Sequence, residues 1–500
     1  MLAYIEALTI PFTAEDFELV ILSNYSFDRL WIETVLNRPR LRPMAYLQWW
    51  GSSHLFGADP LGYRLFSLGM HTISTLAVAW LGWLLSHNRR IALAAGILFA
   101  LYPRHHEPVI WMAANNTTQA GMLALLGICS FIMYHRSRKQ YWLVASILSL
   151  AIGMFANELA VIAIGLIGLI DLFILRRPIL QQSLRDPRLY ITQAPYVLLI
   201  FCYGLVTFWG ERISKLGHQA ASSELIGESY RLTLPTSTMI KDFAAYMTYA
   251  LIPYIPLRSL DPGLITMGVA ALCCGVLVLL FARGGRLVRL LVAWIILSVI
   301  PFLLFVPFGN ADRYFYLSAA GLAILVAILA SQAYRWLLQR IGMPRTQWLG
   351  YLLLASYIVA SLINIQQRII EWRGAGEQIE AITAQVVQLA PDLKSTDPVL
   401  FVGLPERNGQ AFVLLGGGIS GALAVAYNQP AFFTTYESFD PELKQQLLSA
   451  APVETPQQKY RIFVFDQGQI IEKTNSVADI EALSPNEWLF RVYETGRDIR

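Results

Sequence analysis

The chain has 500 residues, 55% hydrophobic and only 14% charged, with a mean hydropathy of +0.48. Soluble domains carry about 25% charged residues, so a wholly soluble fold is excluded and a polytopic membrane protein with some soluble mass is indicated. The formal net charge of +4 decides nothing about nucleic acid, but no basic stripe interleaves with aromatics and no such partner is expected.

Residues 1–60 are polar enough to lie outside the bilayer, yet "MLAYIEALTI" is too short for a signal peptide and lacks a basic n-region. A membrane helix upstream of residue 1 is therefore expected. Glu15 and Asp16 form an acidic pair just after a proline. Residues 43–56 mix apolar, aromatic and polar side chains, the pattern of a helix lying in the interface. Arg38, Arg40 and Arg42 precede it. They either snorkel to lipid headgroups or clamp a phosphate, which guanidinium forks match well.

Membrane helices need about 20 mostly apolar residues. Ten stretches qualify: 61–85, 90–103, 118–134, 141–156, 159–175, 189–210, 264–281, 287–307, 315–337 and 347–366. Residues 240–257 are ambiguous, with two prolines, Lys241 and Asp242. The connections "SHNRR", "HRSRKQ", "RRPILQQSLRDPR", "ARGGRLVR" and "QRIGMPR" are all basic and should be cytoplasmic. They share one side only if 240–257 does not cross. On that topology residues 1–60, 104–117, 157–158, 211–263, 308–314 and everything after about 367 face outward. The four cysteines, Cys129, Cys202, Cys273 and Cys274, fall in apolar runs without disulfide or zinc spacing and read as buried, inert thiols.

Three outward features carry ionisable groups. In "LYPRHHEPVIWMAANN", His105, His106 and Glu107 sit at a helix end before Pro108 and Trp111. Adjacent helical residues point about 100° apart, so these three make a poor ligand set, and Glu107 needs a partner. In "FANELAV", Asn157 and Glu158 form either a polar turn or an acid facing an outer cavity. In "PFGNADRYFYLS", Asp312 and Arg313 begin a helix, either as a surface pair or with Arg313 as a second phosphate contact. Glu15, Asp16, Arg42, Glu107, Glu158 and Arg313 thus share one expected face. A carboxylate there could deprotonate a hydroxyl, and arginines could stabilise a departing phosphate.

From about residue 367 a helix leaves the membrane, followed by short strands in "DPVLFVGLP", "AFVLL" and "YRIFVFDQGQIIEK", with "ISGALAVAY" as a helix between them. "GGGIS" lacks the Gly-Lys-Ser/Thr ending of a P-loop and reads as a turn before that helix.

The order of motifs resembles the GT-C-fold glycosyltransferases that take sugar from a polyprenyl-phosphate donor. It is most similar to the protein O-mannosyltransferases, especially the transmembrane group carrying tetratricopeptide repeats. That group has an acidic pair, Arg-Pro-Leu, Gly-x-x-Pro-x-Gly-Tyr-His, His-Pro-x-His-x-Glu, Ser-Lys-Glu and Glu-Arg-Tyr-Leu-Tyr-Leu-Pro. Here the acidic pair is Glu15-Asp16, and Arg42-Pro43 is followed by Met44. "GADPLGYR" keeps Gly57, Pro60, Gly62 and Tyr63 but ends in Arg64; "YPRHHE" keeps Pro103, His105 and Glu107 but begins with Tyr102. "ANE" keeps Glu158 and has Asn157 for the lysine; "DRYFYLS" keeps Arg313, Tyr314, Tyr316 and Leu317. The resemblance spans about residues 4 to 373, and the tail shows no tetratricopeptide period.

The resemblance implies an all-α GT-C-like membrane domain of about ten to eleven helices at 1–366, and the pattern of the tail itself reads as a small α/β extracytoplasmic domain at 367–500. The resemblance also implies a glycosyltransferase moving a hexosyl or mannosyl group from polyprenyl phosphate to an acceptor hydroxyl, with inversion. Asp16 would be the catalytic base with Glu15 beside it. Glu107, His105 and Glu158 would line the acceptor or metal side, and Arg42 and Arg313 would hold the lipid phosphate. A divalent metal, Mg or Mn, stays an open option, and the plasma membrane is the expected location. A non-catalytic scaffold on the same fold is the alternative. A transporter would need ionisable residues at mid-membrane, where few occur.

Overall fold

The computed structural model describes residues 2–36, 42–175, 187–217, 237–254, 264–303, 311–414, 418–429, 435–439, 441–451, 460–476 and 491–492. Arg38, Arg40 and most of the long stretch 211–263 lie outside the described residues. The helices are α1 Asp16–Ile21, α2 Phe27–Leu36, α3 Pro43–Phe56, α4 Pro60–Ser86, α5 Arg89–Ala100, α6 His106–Ile110, α7 Asn115–Ser137, α8 Gln140–Ala156 and α9 Val161–Ile170. They continue as α10 Pro187–Gly217, α11 Ser237–Leu251, α12 Leu264–Arg283, α13 Arg286–Leu303, α14 Tyr316–Ile341, α15 Met343–Leu389, α16 Gly418–Ala426 and α17 Pro441–Ser449.

Contacts divide the chain into two compact units. The first comprises Met1–Ile5, Asp28–Gln48 and Leu65–Gln366; the second comprises Glu6–Phe27, Trp49–Arg64 and Gln367–Arg500. The second unit thus combines two pieces of the expected first outer loop with the tail.

The first unit is a helical bundle. Among the described residues, six helical stretches are long and apolar enough to cross a membrane: Pro60–Ser86, Met112–Ser137, Glu158–Leu175, Thr192–Trp209, Asp312–Ile341 and Met343–Leu389. Gln140–Ala156 and Met267–Arg283 are apolar but shorter. The expected span at 90–103 ends earlier, at Ala100, as the chain turns toward Pro103. At the "SHNRR" connection, His87 takes a left-handed backbone (φ +54°) and the Asn88 side chain accepts from Arg90 N (2.9 Å) and Ile91 N. That cap satisfies amide donors that α5 leaves unpaired. Helices α7 and α8 pack tightly because small residues face one another. A Cβ on Gly127 would meet the Leu150 side chain at 3.0 Å, and Ser146 Oγ donates to Gly127 O at 2.8 Å. Helix α14 packs on α5 and α13, and the buried Trp294 Nε1 donates to Leu317 O at 2.9 Å. Residues 237–251 form a 15-residue helix with Tyr246, Met247 and Tyr249 buried.

The tail part of the second unit carries a five-stranded sheet in the order β6-β5-β1-β4-β7, where β1 is Val399–Val402, β4 Thr435–Ser438, β5 Arg461–Asp466, β6 Gln469–Glu472 and β7 Arg491–Val492. Strands β5, β1 and β4 run parallel, and β6 and β7 are antiparallel edges. The intervening β2 (Arg407–Asn408) and β3 (Ala411–Phe412) pair separately. Alternation along β1 and β5 sends Leu400, Val402, Ile462 and Val464 into a cluster with Leu443 and Leu447 of α17, and stacks Phe401 on Phe463. Gln467 and Gly468, both at positive φ, make the tight β5–β6 turn.

Candidate active site

The acidic pair lies in the second unit. Glu15 precedes α1 and is partly exposed, whereas Asp16, its first residue, is fully buried. Asp16 Oδ2 accepts from Thr13 N at 3.2 Å and Thr13 Oγ1 at 3.3 Å, so the carboxylate folds back over its own turn. Arg64, where the related motif has histidine, is also buried in this unit. Its Nε donates to Ile10 O at 2.8 Å and its Nη2 to Pro11 O at 2.5 Å. Phe12 packs edge-on against Tyr63, which donates to Gly57 O. The segment before Asp16 is therefore held at its backbone by the residue that departs from the pattern.

The other five sequence-derived candidates, Arg42, His105, Glu107, Glu158 and Arg313, lie in the first unit. Arg42 Nε and Nη2 donate to the two Glu158 oxygens at 2.9 and 2.5 Å, a two-pronged pair. Burial works against the Arg42 charge, but the Glu158 carboxylate outweighs it and lifts the arginine's pKa above its ordinary value. Arg313 pairs with Glu107 through Nη1, and its backbone N donates to Glu107 Oε2 at 3.1 Å. The Arg313 guanidinium also stands 5.1 Å from the Tyr314 ring and 5.4 Å from Trp111. The arginines expected at a phosphate are thus engaged by the carboxylates expected on the acceptor side.

Asp312 and Arg313 do not pair as neighbours. Asp312 accepts instead from Arg104 Nη1 (2.5 Å) and lies 2.6 Å from His106 Nε2. Arg104 Nε donates to Tyr249 O at 2.9 Å, and its guanidinium faces the Tyr249 and Phe315 rings. All three charged or polar side chains are buried, so each needs the others. Arg104 is not among the residues that the sequence pattern singles out, and Asp312 enters there only as a neighbour of Arg313. Their one signal is that ionisable residues in otherwise apolar surroundings require partners.

His105 occupies an aromatic cage. Its ring lies 4.5 Å from Phe99, 4.7 Å from Tyr316, 5.1 Å from Tyr102 and 5.1 Å from His71. Neither ring nitrogen has a hydrogen bond of standard geometry among the described residues. Burial, reinforced by the neighbouring His71, holds its pKa well below the ordinary imidazole value. Asn157 acts locally. Its side chain accepts from Leu159 N at 3.0 Å and caps the turn that carries Glu158. Among the described residues no three His, Cys, Asp or Glu side chains gather into a metal-ion cage.

These features define a polytopic membrane protein with paired charges at the ends of its helices. Comparison with known proteins narrows the class. No family profile matches the chain. Protein O-mannosyl-transferase Tmtc1 of Drosophila melanogaster is 29% identical over 130 residues, which is 26% of this chain and 15% of the relative. Human protein O-mannosyl-transferase TMTC2 is 23% identical over 177 residues, 34% of this chain and 21% of the relative. The matched stretches therefore span about a fifth or less of those relatives' own length. ArnT from Cupriavidus metallidurans aligns with 97% of this chain and 93% of its own at 12% identity and a TM-score of 0.49. The Archaeoglobus fulgidus oligosaccharyltransferase AglB, solved with an inhibitory peptide and a dolichol-phosphate, aligns with 84% and 65% at 13% identity and a TM-score of 0.47. Part of the chain is thus similar in sequence to protein O-mannosyl-transferases, and its long apolar helices are those of a membrane protein.

Proposed function

We propose that the chain is a glycosyltransferase that uses a polyprenyl-phosphate-linked sugar and works at the non-cytoplasmic face of the membrane. The acceptor hydroxyl gives its proton to Asp16 while its oxygen attacks the anomeric carbon. The bond from that carbon to the phosphate oxygen breaks, and the electron pair leaves with the lipid phosphate. One displacement inverts the anomeric configuration. Arg42 and Arg313 supply the positive charge that meets the departing phosphate. For each arginine this means sharing its guanidinium between the phosphate and Glu158 or Glu107. A plasma-membrane location with the tail outside accords with the basic connections, which require a cytoplasmic side opposite to it.

The observation that supports this reading is the Asp16 carboxylate, buried, oriented by Thr13, and set at the acidic pair of an O-mannosyltransferase-like sequence. The test uses purified protein and labelled polyprenyl-phosphate sugars, following release of the lipid phosphate. Asp16→Asn is expected to lower transfer by roughly 100-fold or more, since general base catalysis supplies about 10²–10⁴, with expression intact. Full activity in that variant refutes the assignment.

A non-catalytic scaffold is the second reading. It is favoured by the engagement of both arginines with carboxylates and by Asn157 in place of a lysine. Absence of transfer from every sugar donor tried would support it.

A further inference from the structure

The tail carries a short helix with two glycines, α16, that the proposed chemistry leaves without a role. We infer that Val413 and α16 form the seat of the segment bearing Asp16, so that Gly418 and Gly421 are positioning residues for the base. The inference rests on the role proposed for Asp16.

Three contacts within the second unit carry it. First, Ala14 N donates to Val413 O at 3.0 Å. Ala14 adopts a left-handed backbone (φ +46°), a conformation costly for a residue with a Cβ, and it lies two positions before Asp16. The bond to the tail fixes that conformation. Second, α16 lies along α1, the helix that Asp16 begins. Third, the approach is backbone to backbone. A Cβ on Gly418 would stand 2.8 Å from Ala14 O and 2.9 Å from Ala14 C. A Cβ on Gly421 would stand 3.0 Å from Phe17 Cβ, 3.1 Å from Glu18 N and 3.2 Å from Phe17 C. These crowded atoms are backbone or Cβ, so no side-chain rotation relieves them. A methyl group at Gly418 forces a shift at Ala14, just before Asp16, and one at Gly421 requires Phe17 and Glu18, just after it, to give by a few tenths of an ångström.

Arg64 holds the other end of the same segment through Ile10 O and Pro11 O. Residues 10–18 are thus fixed at their start by Arg64 and along their length by the tail. The tail is then a structural part of the site.

The test compares full-length protein with Gly418→Ala, Gly421→Ala and, as control, Gln445→Ala on the exposed face of α17. Hydrogen exchange is read at the amides of 13–21 and at those of β1 and β5, alongside turnover. Each glycine variant is expected to speed exchange in 13–21 while both strands keep their protection. Turnover should fall roughly 10- to 100-fold with the donor KM unchanged, the size expected for a displacement of about 1 Å at a reacting group. The control should leave both readouts as in the parent protein. Unchanged exchange in 13–21 in both glycine variants overturns the inference, as does loss of protection in β1 and β5 together with 13–21, which would mark general unfolding of the tail. If the parent protein transfers no sugar at all, the proposed reaction fails, and the exchange results alone decide the seat.

Discussion

At the scale of single residues, His105 offers a test that does not depend on catalysis. Its cage of Phe99, Tyr102, His71 and Tyr316 holds the imidazole neutral. A histidine whose folded pKa lies below its unfolded value of 6.5 contributes stability above that pH. The contribution is lost as pH falls from there toward the folded pKa, because the unfolded chain binds the extra proton. The slope is at most about 1.4 kcal/mol per pH unit for one such group. Thermal unfolding in detergent between about pH 8 and pH 5 should therefore show a falling Tm below about pH 6.5. His105→Phe keeps a ring in the cage and should flatten that fall. An identical pH slope in the variant would show that the cage does not govern it.

At the scale of elements, the short helices at 103–110 and 312–315 are fastened to each other and to α11 by buried charge. Arg104 and His106 meet Asp312, Glu107 meets Arg313, and Arg104 also binds the Tyr249 carbonyl. Removing one member leaves a buried charge without its counterpart, which costs roughly 3–5 kcal/mol. Asp312→Ala should lower stability by about that amount. Arg104→Met combined with Asp312→Leu, which removes both charges, should recover most of the loss. Chemical unfolding of the single and double variants in detergent checks this, and equal losses in the two would show that charge pairing is not what fastens these elements.

At the scale of the whole molecule, the arrangement of basic connections predicts sidedness. In a background without the four native cysteines, Asp466→Cys in the β5–β6 turn region should react with a membrane-impermeant thiol reagent on intact cells. Arg138→Cys, between α7 and α8, should react only after permeabilisation. The reverse pattern would invert the topology and remove Asp16 from the non-cytoplasmic face. The division into units adds a further point at this scale. The acidic pair belongs to the same compact unit as the tail, while Arg42, Glu107, Glu158 and Arg313 belong to the other. A boundary drawn only at residue 366 does not separate these groups.

Hydrophobic runs alone marked the long apolar helices of the first unit, because a backbone in lipid must satisfy its own hydrogen bonds and a long apolar segment has helix as its ready solution. Short apolar runs in "DPVLFVGLP" and "YRIFVFDQGQIIEK" likewise marked strands, whereas the tight turn at Gln467-Gly468 emerged only in the structure. The order of motifs along the chain was enough to point to an O-mannosyltransferase-like protein. Pairing was different. Arg42 and Glu158 lie 116 positions apart, Glu107 and Arg313 lie 206 apart, and Arg104 and Asp312 lie 208 apart. Local periodicity shows that a buried charge needs a partner but carries no information on which one. The same holds for the glycines at 418 and 421, whose sequence context indicated a turn and a helix. Only the packed chain, by bringing α16 against α1, decided that their missing side chains make room for the backbone around Asp16.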